Sequence, residues 1–312
     1  MYDVIIIGGG PAGFTAGIYA ARAALKALLL EGATTVSQIT VTDLIENYPG
    51  IPEGIGGYEL ISRMRAQGEK FNLSVKQADV VKVIPRKTGE TTSWQVETSG
   101  GTFETLALIV ATGANWRRLG VPGEEALKGR GVSYCATCDG PFFRNKEVMV
   151  VGGGDTAIQE ALFLTRFAEK VTVIHRRNRL RATKILQERA FAHPKIEFIW
   201  ESVVEEIVGK DYVEGVVVKN LPTGEKKTYK ADGIFVFVGL TPNTELFRNL
   251  VKLDEGGYIK VNQRMETSTK GIFACGDCTS KLLRQVVTAC GDGATAAFAA
   301  ELYVEALKGE AY

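Results

Sequence analysis

At 312 residues the chain is long enough for about two domains, each able to bury a core of its own. Apolar content of 45% and charged content of 23% are ordinary for a globular protein, and a net charge of +1 argues against nucleic acid as the main partner. Five cysteines, an odd number, exclude a fully paired secreted framework. No apolar run reaches the ~20 residues of a membrane span, and no basic segment precedes a cleavable apolar one, so a cytoplasmic protein is expected.

In chain order, residues 4–23 read as a buried strand, a glycine turn and a small-residue helix. The turn, Gly8-Gly9-Gly10-Pro11-Ala12-Gly13, fits G-x-G-x-x-G at a strand-to-helix junction. The first glycine permits the tight turn, and the second lets backbone amides approach a pyrophosphate. The third lets helix pack on strand, and the helix N-terminus favours the negative charge. The next strand, Ala27-Leu28-Leu29-Leu30-Glu31, ends in an acid about 20 residues on, where a carboxylate hydrogen-bonds a ribose with a free 2′-hydroxyl. This first site reads as one for FAD. An apolar strand over 106–113 ends in Ala111-Thr112-Gly113, where the chain would pass close to the same cofactor.

Cys135-Ala136-Thr137-Cys138-Asp139 follows, a C-x-x-C pair with a carboxylate beside it. Cysteines at that spacing close a small disulfide that opens and reforms easily, and the acid handles the proton that thiol chemistry requires. The alternatives are two structural cysteines or half of a zinc site, with Cys275 and Cys278 formally able to supply the other half. Otherwise no metal is expected.

Residues 148–168 repeat the strand–turn–helix plan with Gly152-Gly153-Gly154-Asp155-Thr156-Ala157. One such turn is weak evidence; two in the right context point to two dinucleotide sites. The strand after this turn ends in His175-Arg176-Arg177, with Arg179 and Arg181 beyond, and has no acid. Guanidinium groups suit a 2′-phosphate, so this site reads as one for NADPH, against the alternative of a solvated basic loop.

Strands are expected at 80–84, 93–98, 197–200, 203–207, 213–219 and 226–230, forming a small antiparallel layer on each parallel sheet. His193, ahead of a proline, reads as a surface residue, and Trp94, Trp116 and Trp200 as core or boundary residues. Near the C-terminus, Gly271 to Asp277 is a strand ending in Gly276-Asp277, whose carboxylate can accept bonds from flavin ribityl hydroxyls. Arg284-Gln285-Val286-Val287 and Ala289 then begin a helix whose N-terminus faces the flavin pyrimidine, and 294–307 is a small-residue terminal helix.

The order of motifs from Gly8 to Ala289 resembles the low-molecular-weight thioredoxin reductases over nearly the whole chain. The most specific pieces are the Cys135–Gly140 segment, the Gly152–Ala157 turn and His175-Arg176-Arg177 with Arg181-Ala182. Glu46-Asn47-Tyr48-Pro49-Gly50 and Arg284-Gln285 also match. The resemblance implies that Cys138 meets the flavin, Cys135 attacks the protein substrate and Asp139 transfers protons, with Gln38, Asn47, Asp277 and Gln285 as flavin contacts. It also implies a thioredoxin-like protein partner and a homodimer. Gly239, at the second domain crossing, joins the NADPH set. Two departures stand out: Val36-Ser37 replaces a Gly-Gly pair usual in the family, and Cys275 and Cys278 flank Asp277 where small or apolar residues are usual. Relatives that use ferredoxin lack intact NADPH motifs, which this chain has.

The fold expected is therefore α/β, with two Rossmann-like dinucleotide-binding domains. Flavin motifs at both ends make the FAD domain discontinuous, residues 1–115 plus 245–312, with an NADPH domain at 116–244 inserted. The function expected is an NADPH-dependent disulfide reductase. A flavin oxidase or ferredoxin-type reductase of the same fold, or a redox-sensing flavoprotein without turnover, remain as alternatives.

Overall fold

The computed structural model describes residues 1–33, 37–42, 45–88 and 91–309. The chain forms two compact units, Met1–Asn115 with Thr241–Tyr312, and Trp116–Leu240.

The first unit is built on a seven-stranded sheet. Its parallel part runs Ser74–Gln77, Ala27–Glu31, Tyr2–Ile7 and Gly101–Val110, with Ile272–Ala274 on the far side of the last. Strand Gly101–Val110 changes neighbours along its length. Gly101 to Thr105 pair antiparallel with Thr91–Thr98, and Leu108 to Val110 pair parallel with Ile272–Ala274. The antiparallel layer of this unit, completed by Val80–Thr88, is thus a continuation of the parallel sheet through one long strand. Ile6, Leu29 and Ile109 face one core, while Ile5, Leu28, Leu30 and Leu108 face the other, as alternation along buried strands requires.

Helix Gly57–Lys70 packs Leu60, Ile61 and Met64 on the first face, and two more helices cover it, Pro11–Arg22 and the terminal helix Val286–Lys308. They meet through small residues. A Cβ on Gly293 would stand 2.2 Å from the Ala12 carbonyl oxygen, so only glycine allows this approach. The terminal helix starts at Val286, eight residues ahead of the small-residue run in the sequence. Gln285 caps it reciprocally with Thr288, which satisfies amides that would otherwise be orphaned.

The second unit has a five-stranded parallel sheet in the order Ile196–Ile199, Lys170–Ile174, Glu147–Val151, Gly233–Val236, Val132–Ser133. Here the antiparallel layer is a separate three-stranded sheet, Ser202–Val208, Gly215–Asn220 and Lys226–Lys230.

The return to the first unit comes at Thr241, four residues ahead of the sequence expectation of 245. Side chains decide this. Asn243 donates its backbone N–H to Gly113 O and its Nδ2 to Thr112 O, both at 3.0 Å, and Thr112 Oγ1 donates to Asn243 O. Thr244 Oγ1 donates to Gly257 O. Among the described residues, no helix is long and apolar enough to cross a membrane.

Candidate active site and cofactor cradles

In the second unit Cys135 follows the short strand Val132–Ser133 and precedes the single helical turn Ala136–Asp139. The buried Ser133 hydroxyl accepts the Cys135 N–H at 3.1 Å and donates to the Cys135 carbonyl at 3.2 Å. The Asp139 N–H donates to the same carbonyl, so the half-buried cysteine is held from both sides. Cys135 is disulfide-bonded. It therefore offers no thiolate to zinc. The side chains of Thr137 and Cys138 lie outside the described residues. Asp139 is half-buried at the end of the same turn.

The preceding residue is anchored as well. Tyr134 Oη donates to Glu124 Oε1 at 2.6 Å, and that buried carboxylate also accepts the N–H groups of Leu119 and Gly120. Burial, then the Glu124 bond, pushes the Tyr134 phenol well up.

The glycine turn of this unit lies at the C-terminal ends of its central strands, where open α/β sheets bind ligands. Nothing stands within 4 Å of a Cβ built on Gly154, so the backbone there is open to an incoming group, at the start of helix Asp155–Leu164. Gly239, also exposed and with open space above its Cα, lies two residues past Phe237, whose carbonyl abuts Gly152. Arg176, Arg177, Arg179 and Arg181 are all exposed, and no carboxylate pairs with Arg176, Arg177 or Arg181 among the described residues.

Two residues expected at this site turn inward. His175 is 5% exposed, with its ring beneath Gly153 and edge-on to Trp200. Burial lowers its pKa, and its Nε2 has no partner among the described residues. The ring is a floor under the turn, set by burial of the strand end. Asp155 Oδ1 accepts the Thr183 N–H at 2.6 Å, and Gly153 O accepts the N–H groups of Arg181 and Ala182. Together they tie the arginine loop to the glycine turn. Thr156 is exposed on the first turn of the helix.

In the first unit the turn Gly8 to Gly13 is tight. A Cβ on Gly13 would fall 1.8 Å from the Gly8 carbonyl, the close helix-on-strand contact that the third glycine serves. Gly10 caps the helix that Pro11 and Ala12 open. Ala111, at the end of the neighbouring strand, donates its N–H to Ile7 O. Glu31 lies against Gly9 and is paired with Arg65, whose guanidinium rests 5.3 Å above the Phe14 ring. Arg65 was not legible in the sequence, because nothing marks which residue of helix Gly57–Lys70 reaches across to the strand end.

The remaining flavin-set residues gather within this unit. Gln38 Nε2 donates to Ala114 O, and Asn47 Nδ2 donates to Gln285 Oε1 at 3.0 Å. Val36 lies outside the described residues; the Ser37 hydroxyl stands beside Gly10. Arg284 turns onto the chain itself, bonding the carbonyls of Asp277, Thr279 and Lys281 and stacking 4.0 Å over Tyr258. Val286 and Ala289 occupy the first turn of the terminal helix, with Ala289 7% exposed. Gly276 packs on Ala12 at the start of the opposite helix.

Asp277 tests whether these residues fit a flavin. Its Oδ1 is buried and has no hydrogen-bond partner among the described residues, and burial raises its pKa despite the nearby Lys281 and Arg284. A carboxylate oxygen in that state is short of donors, and polyol hydroxyls supply them. The fit is good. Sequence reasoning missed Lys281 and Asp292, which pair with each other, Asp292 also accepting the Gly276 N–H at 3.0 Å. A signal existed: Asp292 is the lone acid between Ala289 and Ala296 on the buried small-residue face.

The second C-x-x-C is a different object. Cys275 and Cys278 are both fully buried and free, and burial drives both thiols up, Cys278 to about 11. Cys275 packs in the core on one face of the sheet and Cys278 in the core on the other. Cys278 Sγ donates to the carbonyls of Cys275 and Val110. The fifth cysteine, Cys290, is free and half-buried, 3.8 Å from Tyr48 Oη.

Residues 2–293 match the family of pyridine nucleotide-disulphide oxidoreductases, so the protein is a flavin- and nicotinamide-linked oxidoreductase of this class. Within it, the thioredoxin reductase of Bacillus subtilis is 47% identical over 310 residues, covering 99% of this chain and 96% of that one. The solved thioredoxin reductase of Lactococcus lactis is also 47% identical, with a TM-score of 0.93 over 97% of this chain and 99% of its own. That of T. acidophilum is 35% identical, with a TM-score of 0.90 over 98% and 99%. The chain belongs to the thioredoxin reductase family.

Proposed function

We propose that this enzyme reduces thioredoxin, or a thioredoxin-like protein, with electrons from NADPH, through FAD and the Cys135–Cys138 pair. The observation that carries the reading is the disulfide-bonded Cys135 in the same unit as an open glycine turn flanked by exposed, unpaired arginines. In this reading Met1–Asn115 with Thr241–Tyr312 holds FAD. Its holding residues are Gly8, Gly10, Gly13, Glu31, Gln38, Asn47, Ala111 to Gly113, Asp277 and the helix start at Gln285. Trp116–Leu240 holds NADPH at Gly152 to Thr156, Gly239 and Arg176, Arg177 and Arg181. The protein acts in the cytoplasm as a homodimer.

Bound there, the two cofactors supply the electron pair that opens the disulfide. The rest is done by side chains of the chain. Ser133 and the Ala136–Asp139 turn fix the Cys135 backbone while its sulfur changes partners. Cys135, released as thiolate, attacks one sulfur of the substrate disulfide, and the other substrate sulfur leaves as a thiolate. Cys138 then attacks Cys135 Sγ, closing the internal disulfide and releasing the second substrate thiolate. Asp139, adjacent to the pair, exchanges the protons that the leaving thiolates and the opened cysteine require. Arg176, Arg177 and Arg181 offer charge-assisted donors to a 2′-phosphate, which sets the choice of nicotinamide.

An anaerobic assay of NADPH oxidation against a disulfide dye and against the host's thioredoxin-like proteins tests the reading. Thioredoxin-dependent oxidation supports it. Oxidation only with oxygen or a ferredoxin, or none with any acceptor, replaces it with one of the alternatives.

A further inference from the structure

Asp277 carries the unpartnered buried oxygen of the flavin cradle, yet a lysine stands close by. Lys281 is near enough for its charge to act on Asp277, second only to burial. A direct ion pair between them would consume the acceptor that a polyol ligand needs. The structure instead pairs Lys281 with Asp292, their side chains only 14% and 17% exposed. Asp292 belongs to the second turn of the terminal helix, on the same buried face as Ala289 and Gly293. With the same oxygen, Oδ2, it accepts the N–H of Gly276, the residue just ahead of Asp277. Arg284 grips the other end of the segment through the carbonyls of Asp277, Thr279 and Lys281, and these donors leave the Asp277 carboxylate itself free.

We propose that Asp292 is a positioning residue for flavin binding, which fixes the Gly276–Asp277 turn and sequesters Lys281 so that the Asp277 carboxylate stays open to the ribityl hydroxyls. The inference rests on the reading of this unit as the FAD site. Its physical basis is the asymmetry of buried charge. A lysine in this setting must keep a carboxylate partner, because an unpaired buried ammonium is costly, and two acids compete for it. Asp292 holds it through the ion pair that the terminal helix sets, while Asp277 Oδ1 makes no bond to it among the described residues. Remove its charge, and Asp277 becomes the remaining partner.

The experiment is a set of flavin-binding titrations on the deflavinated full-length protein, with FAD as the probe. Binding is followed by flavin fluorescence quenching and by the resolved visible band of bound flavin, alongside melting curves of each apoprotein. Asp292→Asn keeps an acceptor for the Gly276 N–H but frees Lys281, so its FAD Kd should rise about tenfold or more. Adding Lys281→Met in the same chain should bring the Kd back to within about threefold of the parent, because no cation remains to capture Asp277. A structural role alone would lower the melting temperature of the double variant further and rescue nothing. An Asp292→Asn protein that binds FAD as the parent does, or a double variant no tighter than the single one, overturns the inference. A parent apoprotein that takes up no FAD overturns the reading of the site instead.

Discussion

Each of the two units carries one glycine-rich turn and one C-x-x-C, and each uses them differently. In Trp116–Leu240 the cysteine pair begins at a half-exposed, disulfide-bonded Cys135 on a loop, and the strand after the glycine turn ends in exposed arginines. In the first unit the pair straddles a buried strand end, its sulfurs facing opposite cores, and the matching strand ends in Glu31, already paired with Arg65. Identical spacing thus gives a half-buried, disulfide-bonded Cys135 in one place and two buried free thiols in the other. Spacing decides what two cysteines are able to reach; the backbone direction between them and access to solvent decide what they do.

The largest test of this contrast is Cys138→Ser or Cys135→Ser. Either should reduce thioredoxin turnover below detection while NADPH-driven flavin reduction stays within about threefold of the parent, read by stopped flow under anaerobic conditions. Thioredoxin turnover surviving in either variant would move the chemistry to other sulfurs.

Next is the arginine loop. Replacing Arg176 and Arg181 with alanine removes charge-assisted bonds worth about 1.5–3 kcal/mol each. The KM for NADPH should rise well over tenfold while that for NADH hardly moves. Equal losses with both nucleotides would show that the loop is a solvated basic surface.

A smaller effect is expected from the second pair. The double variant Cys275→Ala, Cys278→Val should keep turnover within about threefold, since both thiols act as small buried side chains. Counting thiols in the parent before and after NADPH treatment gives an independent reading. Two new thiols mean a single working disulfide, and four would make the second pair redox-active.

The smallest effect concerns the floor of the arginine site. Burial holds His175 below its ordinary pKa near 6.5, so the unfolded chain binds a proton that the folded one refuses. Its contribution is complete above about pH 6.5 and is lost as pH falls below it, by at most about 1.4 kcal/mol per pH unit. Denaturant unfolding at pH 7.5 and 5.5 should show a shallower loss in His175→Gln than in the parent. Parallel losses in both would place the acid sensitivity elsewhere.

The sequence by itself determined the two glycine turns, the strand ends at Glu31 and His175, the Cys135 segment and the order of motifs that makes one unit discontinuous. These are local patterns: a turn needs its glycines, a buried strand its apolar run, and both occupy adjacent positions in the chain. Tertiary structure alone decided that His175 lies under the turn and that Asp155 and Arg284 bind backbone before any ligand. It also decided that Arg65 holds Glu31, that Asp292 holds Lys281, and that the chain returns at Thr241. Each of these depends on which side chain a distant helix or loop delivers to a strand end. No spacing in the sequence encodes that, because the partners are brought together only when the helices and loops of each unit pack on its own sheet.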